Sequence, residues 1–282
     1  YQSLDLSTVN RNGKLKIQAG GKGINVNRQL NKLGVKNIAL LFTGGTNGKL
    51  LRETLREEKI FFSEIVTKNE TRESAIIIDK SDEKIYSFFG TDTLISSNEA
   101  SEFISKLEKA ISTCEIVVFS GSSPCKETDS IFVEGISIAN KLDKISVCDT
   151  YGRHLQDCYN ASPTVIHNNI DELESSLGLN IKSEIDYLDF LNFLYEKGIK
   201  QAFITASGNQ FYASNFDFHY KVTPPEINAI DSTGSGDAFV GGIVYGWHNK
   251  LTFEKQSQLA TALGVLNAKS LEVCEVEIDE AD

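Results

Sequence analysis

The sequence has 282 residues, with 28 basic and 39 acidic side chains, which gives a formal net charge of −11 at pH 7. Hydrophobic residues make up 40% and charged residues 24%, a balance that is typical of a globular protein and excludes a disordered or fibrous chain. The acidic charge argues against nucleic acid or an anionic membrane surface as the main partner, because both require clustered Lys and Arg side chains. An anionic ligand therefore needs a local binding site.

Signals for membrane insertion, secretion and structural metals are absent from the sequence. No apolar run approaches the roughly 20 residues of a membrane span, and the first residues predict no signal peptide. The five cysteines have no CxxC spacing, which predicts small buried side chains in a reduced, cytoplasmic protein. The chain contains no methionine. We therefore expect that residues are missing from it, between the motifs and before Tyr1, and that the true chain is longer.

Strand-like and helix-like segments alternate along the chain. Short β-branched or aromatic runs predict buried strands, and stretches with apolar residues three and four positions apart predict helices. The predicted strands are 37–42, 115–120, 144–149, 164–167 and 201–205; the predicted helices are 24–33, 48–58, 99–112, 129–142, 171–177 and 186–197. This order is typical of a parallel sheet with helices on both faces, and it predicts one α/β domain over residues 1–282.

Two segments depart from this alternation. Residues 6–19 and 73–90 read as strands without an intervening helix, and 79–83 reads as a hairpin turn within the second segment. Such strands do not fit easily into a parallel sheet, so they predict a small separate layer that serves as a lid. An edge hairpin of the main sheet is the alternative.

The strongest chemical motif is segment 229–242, Ala-Ile-Asp-Ser-Thr-Gly-Ser-Gly-Asp-Ala-Phe-Val-Gly-Gly. A strand-like run at 227–230 leads into a glycine-rich turn, and a helix is predicted to begin near Gly236. Gly234 and Gly236 allow backbone amides to converge at the positive end of the helix dipole, which predicts an anion pocket. Asp237 lies within it, where it could accept a proton from a hydroxyl that attacks a phosphoryl group. A simple acidic N-cap is the alternative interpretation.

A second glycine-rich motif begins at residue 20. Gly-Gly-Lys-Gly at 20–23, followed by Asn25, predicts a binding floor for a polyhydroxylated ligand. The segment is not a dinucleotide fingerprint, because Val26 replaces the third glycine. Nor is 44–50 a Walker A loop, since Leu50 stands where a Ser or Thr would bind magnesium.

Together the two motifs resemble the ribokinase-like carbohydrate kinase family of the PfkB type. Within that family the chain is most similar to the phosphosugar branch of 1-phosphofructokinases and tagatose-6-phosphate kinases. Shorter family-like segments occur in the family's order along nearly the whole chain, at 4–5, 9–11, 71–72, 120–124, 149–152 and 169–172. The resemblance implies a three-layer α/β/α sandwich with a mostly parallel central sheet and a small β-sheet lid.

The resemblance also implies an activity, which is phosphoryl transfer from ATP to a hydroxyl of a ketohexose phosphate, with Mg²⁺ as cofactor. Fructose 1-phosphate and tagatose 6-phosphate are the implied substrates. A homodimer contact is expected at the lid, where Ile76, Ile78 and Phe88 would present an apolar face.

Residue roles follow from the resemblance. Asp237 would be the catalytic base, and Gly234, Ser235 and Gly236 would bind the transferring phosphoryl group. The residues implied for the sugar phosphate are Asp5, Gly21, Lys22, Asn25, Arg72 and Ser122, with Lys22 and Arg72 toward its phosphate. The residues implied for the nucleotide are Asn169, Glu172, Thr205, Ser207, Gly208, Gly264 and Asn267, with Asn169 and Glu172 acting on magnesium through its water shell.

Some positions depart from the family pattern. His167-Asn168-Asn169 stands where the family usually has Lys-Pro-Asn, segment 207–209 replaces x-Gly-x-x-Gly, and 90–93 lacks the expected Gly-Pro. Two other functions therefore stay open. A kinase for an unphosphorylated sugar or nucleoside is disfavoured by Lys22, which neutral-sugar members usually lack. A catalytically silent sugar-phosphate sensor is disfavoured by the intact Asp237 and favoured by the altered nucleotide residues.

Overall fold

The computed structural model describes residues 1–82 and 84–281. The helices are α1 (Lys22–Lys32), α2 (Gly45–Glu57), α3 (Ser97–Thr113), α4 (Asp129–Lys141), α5 (Leu155–Asn160), α6 (Ile170–Leu177), α7 (Glu184–Glu196), α8 (Ser235–His248), α9 (Phe253–Ala268) and α10 (Ile278–Ala281), with a short 3-10 helix at Lys126–Thr128. The strands are β1 (Ala39–Gly44), β2 (Phe62–Thr67), β3 (Ser74–Asp79), β4 (Lys84–Phe89), β5 (Ile116–Ser122), β6 (Ile145–Tyr151), β7 (Val165–Asn169), β8 (Gln201–Thr205), β9 (Phe211–Asn215) and β10 (Phe218–Val222).

The central sheet has six strands in the order β10-β9-β8-β7-β6-β5. Strands β5 to β8 are parallel, while β9 and β10 are antiparallel to their neighbours. Val118 lies opposite Val147, and Cys148 lies opposite Ile166. Because the parallel strands all end at one edge, their carboxyl ends bring polar residues together there.

The sheet is covered on both faces, which confirms the predicted α/β sandwich. Side chains that alternate along each strand enter two separate apolar clusters, so that Val147 faces one and Cys148 faces the other. Helices α3, α4, α5 and α7 pack on the Cys148 face. Helices α1, α8 and α9 pack on the Val147 face. The central layer is thereby shielded from water by both helical layers.

A smaller parallel sheet, β1-β2, stands beside the main sheet. Within the described residues, β1 pairs with β2 alone, and a small apolar cluster with Ile24, Leu55 and Ile60 lies under them. A groove of about 2470 Å³ runs between the β1 and β5 edges and continues to the amino end of α8. The amino end of α8 therefore opens into this long groove.

The two segments that were predicted to form a separate lid, 6–19 and 73–90, differ in structure. Strands β3 and β4 form a two-stranded antiparallel hairpin, as expected for segment 73–90, although Glu83 of the predicted turn lies outside the described residues. Segment 6–19 contains no strand, contrary to the prediction. Before this segment, the amino group of Tyr1 donates to the carbonyl of Ile78 in β3. Leu15 is 88% exposed, because among the described residues segment 6–19 has no neighbouring strand to pair with.

The predicted strand at 227–230 is also wrong. The amides of Ile230 and Asp231 both donate to the carbonyl of Ala268, at the end of α9, and not to a strand. Segment 227–230 is therefore a loop that is bonded to the carboxyl end of α9.

The cysteines are mostly buried, as the sequence predicted. Cys125, Cys148, Cys158 and Cys274 are buried, Cys114 is half-buried, and all five thiols are free. In the part of the chain that the structure describes, no helix combines the length and the apolar character that crossing a membrane requires.

Candidate active site at the amino end of helix α8

Helix α8 begins directly after a glycine turn. Gly234, its N-cap, has a φ of 77° and a ψ of −1°, which is the left-handed region that favours glycine. A Cβ at Gly234 would also lie 2.3 Å from Cγ1 of Val273. Among the described residues, the amides of Gly236 and Asp237 donate to no protein acceptor. Free amides at the positive end of a helix dipole are suited to bind an anion, and anion binding here stays a prediction.

The turn is supported from α9 by Asn267. Its Nδ2 donates to the carbonyl of Thr233 at 2.8 Å and to Oγ of Ser235 at 3.2 Å, while its Oδ1 accepts from the amide of Cys274 at 2.7 Å. Both ends of the Asn267 amide are thus engaged inside the protein. This favours a role in shaping the turn over the predicted contact with the nucleotide.

Asp237 is a buried carboxylate within the first turn of α8, with only 4% of the residue exposed. Its Oδ2 accepts from Nδ2 of Asn25 at 2.8 Å. Burial, reinforced by the negative charge of Asp149, raises the pKa of Asp237 to about 7, although Lys22 and the Asn25 bond oppose the shift. A carboxylate with this pKa is suited to take up a proton near neutral pH.

Asn25 is oriented by helix α1. Gly21, the N-cap, has a φ of 108°, and its carbonyl accepts from the amide of Asn25 at 3.0 Å. Nη1 of Arg28 donates to Oδ1 of Asn25 at 2.9 Å, and Arg28 is itself paired with Glu58 at 2.7 Å. Because Oδ1 accepts from a guanidinium, the NH₂ end of Asn25 must face Asp237.

Lys22 lies between two carboxylates. Its Nζ is 3.0 Å from Oδ1 of Asp149 and 2.7 Å from Oε1 of Glu172, and it lies 5.3 Å from the ring centre of Tyr151. Burial tends to lower the pKa of Lys22, but the charges of Asp149, Glu172 and Asp237 outweigh it and raise the pKa. Lys22 therefore stays charged and neutralises much of this acidic cluster.

Asp149 is fully buried at the end of β6 and receives donors from both neighbouring strands. Oγ of Ser120 is 2.7 Å from its Oδ2, and Nδ1 of His167 is 3.0 Å from its Oδ1. Burial tends to raise the pKa of Asp149, but Lys22 and these bonds outweigh it and lower the pKa. Nε2 of His167 lies 3.2 Å from Oγ1 of Thr205, which links β8 to the same cluster.

Asn169 and Glu172 form a capping box at the start of α6. The amide of Glu172 donates to Oδ1 of Asn169 at 2.8 Å, and the amide of Asn169 donates to Oε2 of Glu172 at 3.2 Å. Oε1 of Glu172 stays directed into the cavity, toward Lys22. In the described ranges, no three acidic, His or Cys side chains form a metal cage. Carboxylate and amide oxygens such as those of Glu172 and Asn169 suit instead a magnesium ion that keeps most of its water, and this role stays a prediction.

Other predicted nucleotide residues lie apart from this cluster. Ser207 has a φ of 51° in the turn after β8, and Gly208 follows it on the exposed surface. Gly264 lies within α9, and a Cβ there would lie 3.1 Å from the carbonyl oxygen of Ser235. Close packing of α9 against α8 is therefore a sufficient reason for glycine at 264, and nucleotide contact at these three positions stays a prediction.

The predicted sugar-phosphate residues divide into two groups. Gly21, Lys22, Asn25, Arg72 and Ser122 line the same cavity as Asp237. Arg72 is paired with Asp92 and lies 5.5 Å from the ring centre of Phe89.

Asp5 is not brought to the cavity lining. Its Oδ1 accepts from the amide and the hydroxyl of Ser7 at 2.9 and 2.6 Å, within an exposed turn. These local bonds hold the Asp5 carboxylate in the exposed turn.

The sequence interpretation missed three residues of the cluster as site residues, Asp149, His167 and Arg28. Asp149 and His167 lie in β6 and β7, toward the carboxyl ends of these parallel strands. Ligands bind at this sheet edge in α/β proteins, so the position was a usable signal. Arg28 gave no such signal, because its role depends on Glu58, which lies 30 positions away.

The chain is similar to known carbohydrate kinases. The sequence model of the pfkB family carbohydrate kinases matches residues 2–279. The tagatose-6-phosphate kinase of Staphylococcus epidermidis RP62A is 29% identical over 281 residues, which span 99% of this chain and 90% of that relative.

Two solved structures have a similar fold. A Thermotoga maritima protein described as a possible 1-phosphofructokinase has a TM-score of 0.89 at 25% identity, covering 100% of this chain and 90% of the other. Phosphofructokinase-2 of Escherichia coli has a TM-score of 0.86 at 20% identity, covering 97% and 91%, and this likeness shows the fold alone.

Proposed function

The chain belongs to the pfkB family of carbohydrate kinases, and we propose that it transfers the γ-phosphoryl group of ATP to a hydroxyl of a ketohexose phosphate. Fructose 1-phosphate and tagatose 6-phosphate are the proposed acceptors, because similar proteins are named as kinases of these sugars. The observation that carries the proposal is the buried carboxylate of Asp237 beside the amides of Gly236 and Asp237, which donate to no acceptor among the described residues.

In the proposed reaction, the acceptor hydroxyl attacks the γ-phosphorus while its proton passes to the carboxylate of Asp237. The bond from the γ-phosphorus to the bridging oxygen breaks, and ADP leaves with that electron pair. Negative charge on the transferring oxygens is stabilised by the amides at Gly236 and Asp237. Asn25 holds Asp237 in place, since its NH₂ end is fixed toward the carboxylate.

The charges around the reaction centre support the same proposal. Lys22 supplies a permanent positive charge between Asp149 and Glu172, and Arg72 lies farther along the cavity, where it is proposed to bind the sugar's own phosphate. Magnesium, when bound, neutralises the nucleotide phosphates. Glu172 and Asn169 are proposed to hold its water shell.

The hairpin β3-β4 is proposed to be a lid and a homodimer contact. The predicted single apolar face of Ile76, Ile78 and Phe88 is wrong. Ile76 pairs with Ser87 and Phe88 pairs with Ala75, so Ile76 and Ile78 lie on one face of the hairpin and Phe88 lies on the other. Ile76 and Phe88 are 43% and 55% exposed, whereas Ile78 is half-buried. Exposed apolar side chains on one small sheet are typical of an interaction surface. We expect light scattering after gel filtration to give twice the monomer mass for the wild-type protein. For the Phe88→Ser variant we expect the mass of a single chain.

The test of function is an ATP-consumption assay with purified protein and Mg²⁺. Fructose 1-phosphate, tagatose 6-phosphate and fructose 6-phosphate are compared with fructose, tagatose, ribose and adenosine, and Asp237→Asn is the inactive control. We expect turnover only with phosphorylated ketohexoses. Turnover confined to neutral acceptors would overturn the substrate class. Thermal stabilisation by a sugar phosphate without any ATP consumption would instead support a sensor.

A further inference from the structure

The end of strand β7 supports the acidic cluster from both faces of the sheet. His167 and Asn168 are consecutive, so their side chains point to opposite faces. His167 packs against the ring of Phe239 and bonds to Asp149. Asn168 points to the other face and leads to Glu172. The two carboxylates that bind Lys22 are thus each contacted by one of these residues.

Asn168 is fully buried, and its amide makes three hydrogen bonds. Its Oδ1 accepts from the hydroxyl of Tyr159 at 2.7 Å. Its Nδ2 donates to the carbonyl of Thr150 at 2.7 Å and to Oε2 of Glu172 at 3.3 Å. A reversed amide would direct Oδ1 at the Thr150 carbonyl, two acceptors facing each other, so only one orientation is compatible with these neighbours.

Tyr159 reinforces that orientation from the core. Its side chain is fully buried on α5, and burial raises the pKa of Tyr159 well above its usual value, so the hydroxyl keeps its proton. The hydroxyl has one hydrogen bond among the described residues, the one to Asn168. It serves as a donor that a phenylalanine could not replace.

The carboxylate of Glu172 is oriented by Asn168 and by the backbone of Asn169. Its Oε2 accepts from Asn168 and from the amide of Asn169, both from beneath, which leaves Oε1 directed at Lys22 and the cavity. Where the family usually has proline before the asparagine, this chain has a residue with a side-chain donor. The contact from the core to Glu172 therefore depends on Asn168 being an asparagine.

We propose that Tyr159 and Asn168 are positioning residues that hold the carboxylate of Glu172 in the direction required by a magnesium–nucleotide complex. The inference rests on the proposed function for the identity of that ligand. The orientation of Glu172 by Asn168 is a property of the free protein. The two parts can therefore be tested separately.

The variant Tyr159→Phe removes one hydroxyl, and Tyr187→Phe is its matched control. Tyr187 lies in the same apolar cluster with its ring 4.3 Å from that of Tyr212, and among the described residues its hydroxyl makes no hydrogen bond. Binding of MgADP is measured by calorimetry. We expect about tenfold weaker binding in Tyr159→Phe, with the KM for the sugar phosphate unchanged, and wild-type binding in Tyr187→Phe. Asn168→Ser, which shortens the side chain, should weaken MgADP binding in the same way.

The second measurement needs no ligand. Denaturant unfolding of Tyr159→Phe, Glu172→Gln and the double variant forms a cycle, and we expect the two effects to be non-additive. The same cycle with Tyr187→Phe should be additive. Additivity in the first cycle, or MgADP binding equal to the control, would overturn the positioning role. Wild-type protein that binds MgADP but phosphorylates no sugar phosphate would refute the proposed substrate and leave the positioning role standing.

Discussion

The centre of the site and its rim are built in different ways. The centre combines buried and half-buried side chains that are bonded in two adjacent groups, Lys22 with Asp149 and Glu172, and Asn25 with Asp237. Their helices and strands come from both ends of the chain, and each side chain is held by at least one further residue. The chemical groups are therefore in place before any ligand arrives.

The rim consists of residues whose bonds are local and exposed. Arg72 lines the cavity and pairs with Asp92 on the surface. Neither residue bonds to the central cluster within the described part of the chain. Exposed ion pairs are weak and can be exchanged for a ligand at small free-energy change.

This difference suggests that the centre carries out the chemical step and that the rim contributes to binding of the acceptor. A substitution in the centre is expected to change turnover, pH dependence and folding stability together, since the same bonds serve all three. A substitution at the rim should change only the apparent affinity for the acceptor. Four substitutions or conditions test this division.

The largest effect is expected for Asp237→Asn, which removes the proposed base and keeps the shape of the side chain. The amide can still accept from Asn25, so acceptor binding should be nearly unchanged while kcat falls by about 10² to 10⁴. Steady-state kinetics with the best sugar phosphate would measure both constants. Retention of full turnover by the folded variant would remove the base assignment.

Lys22→Met tests how far the centre depends on one ammonium group. Removing it leaves Asp149 and Glu172 without their shared partner, and we expect a loss of roughly 3 kcal/mol in the free energy of unfolding. The KM for the phosphosugar should rise as well. The matched control is Lys32→Met on the same helix, where the ion pair with Glu277 is exposed and the expected change is small. Equal unfolding curves for the two variants would contradict the division.

The third test is pH. Asp237 acts in its ionised form and its pKa is raised to about 7, so kcat/KM should fall about tenfold for each pH unit below 7 and level off above it. Sugar-phosphate binding to Asp237→Asn over the same range controls for titration of the substrate. The native carboxyl also holds its proton up to a higher pH than the unfolded value of 3.8, so its contribution to stability falls as pH rises from about 4 to 7. A flat rate profile between pH 5.5 and 8 would refute the assignment.

The smallest effect is expected at the rim, for Arg72→Ala. The KM for the phosphosugar should rise about fivefold, because one charged donor to its phosphate is lost. The kcat, the pH profile and the unfolding free energy should stay unchanged, the last within about 0.5 kcal/mol. Lys221→Ala, which breaks an exposed pair with Glu184 on the far edge of the sheet, is the control. An unchanged KM would mean that the sugar's phosphate binds elsewhere.

The sequence predicted the repeating layers well, because local patterns determine them. Strand β8 was predicted at its observed bounds, and the turn at Gly234 was recognised from its glycines. Helix α9 was not predicted, since apolar residues occur around most of its circumference and no single stripe stands out. Segment 6–19 has strand-like alternation but finds no partner strand, and alternation alone does not make a strand.

The sequence predicted the site residues that lie within recognisable motifs, but it did not predict the contacts between distant segments. Asp237 and Asn25 each stand in a recognisable segment. The bond between Lys22 and Asp149 joins residues 127 positions apart, and the bond between Lys22 and Glu172 spans 150. Such contacts depend on which strands become neighbours, which periodicity does not specify. For the same reason, the ammonium of Lys22 was assigned to a sugar phosphate without its two carboxylate partners.

Helix α1 belongs to two packing units at once. Ile24 packs in the small cluster under β1-β2, while Val26 and Leu30 pack in the larger cluster with α8. Each unit can open with its own free energy, and the small one has few buried side chains to resist opening. Because Lys22 and Asn25 lie on this shared helix, a ligand bound at α8 would also slow local unfolding of β1-β2. Ligand binding would thereby stabilise the β1-β2 sheet, which has no part in the proposed chemistry.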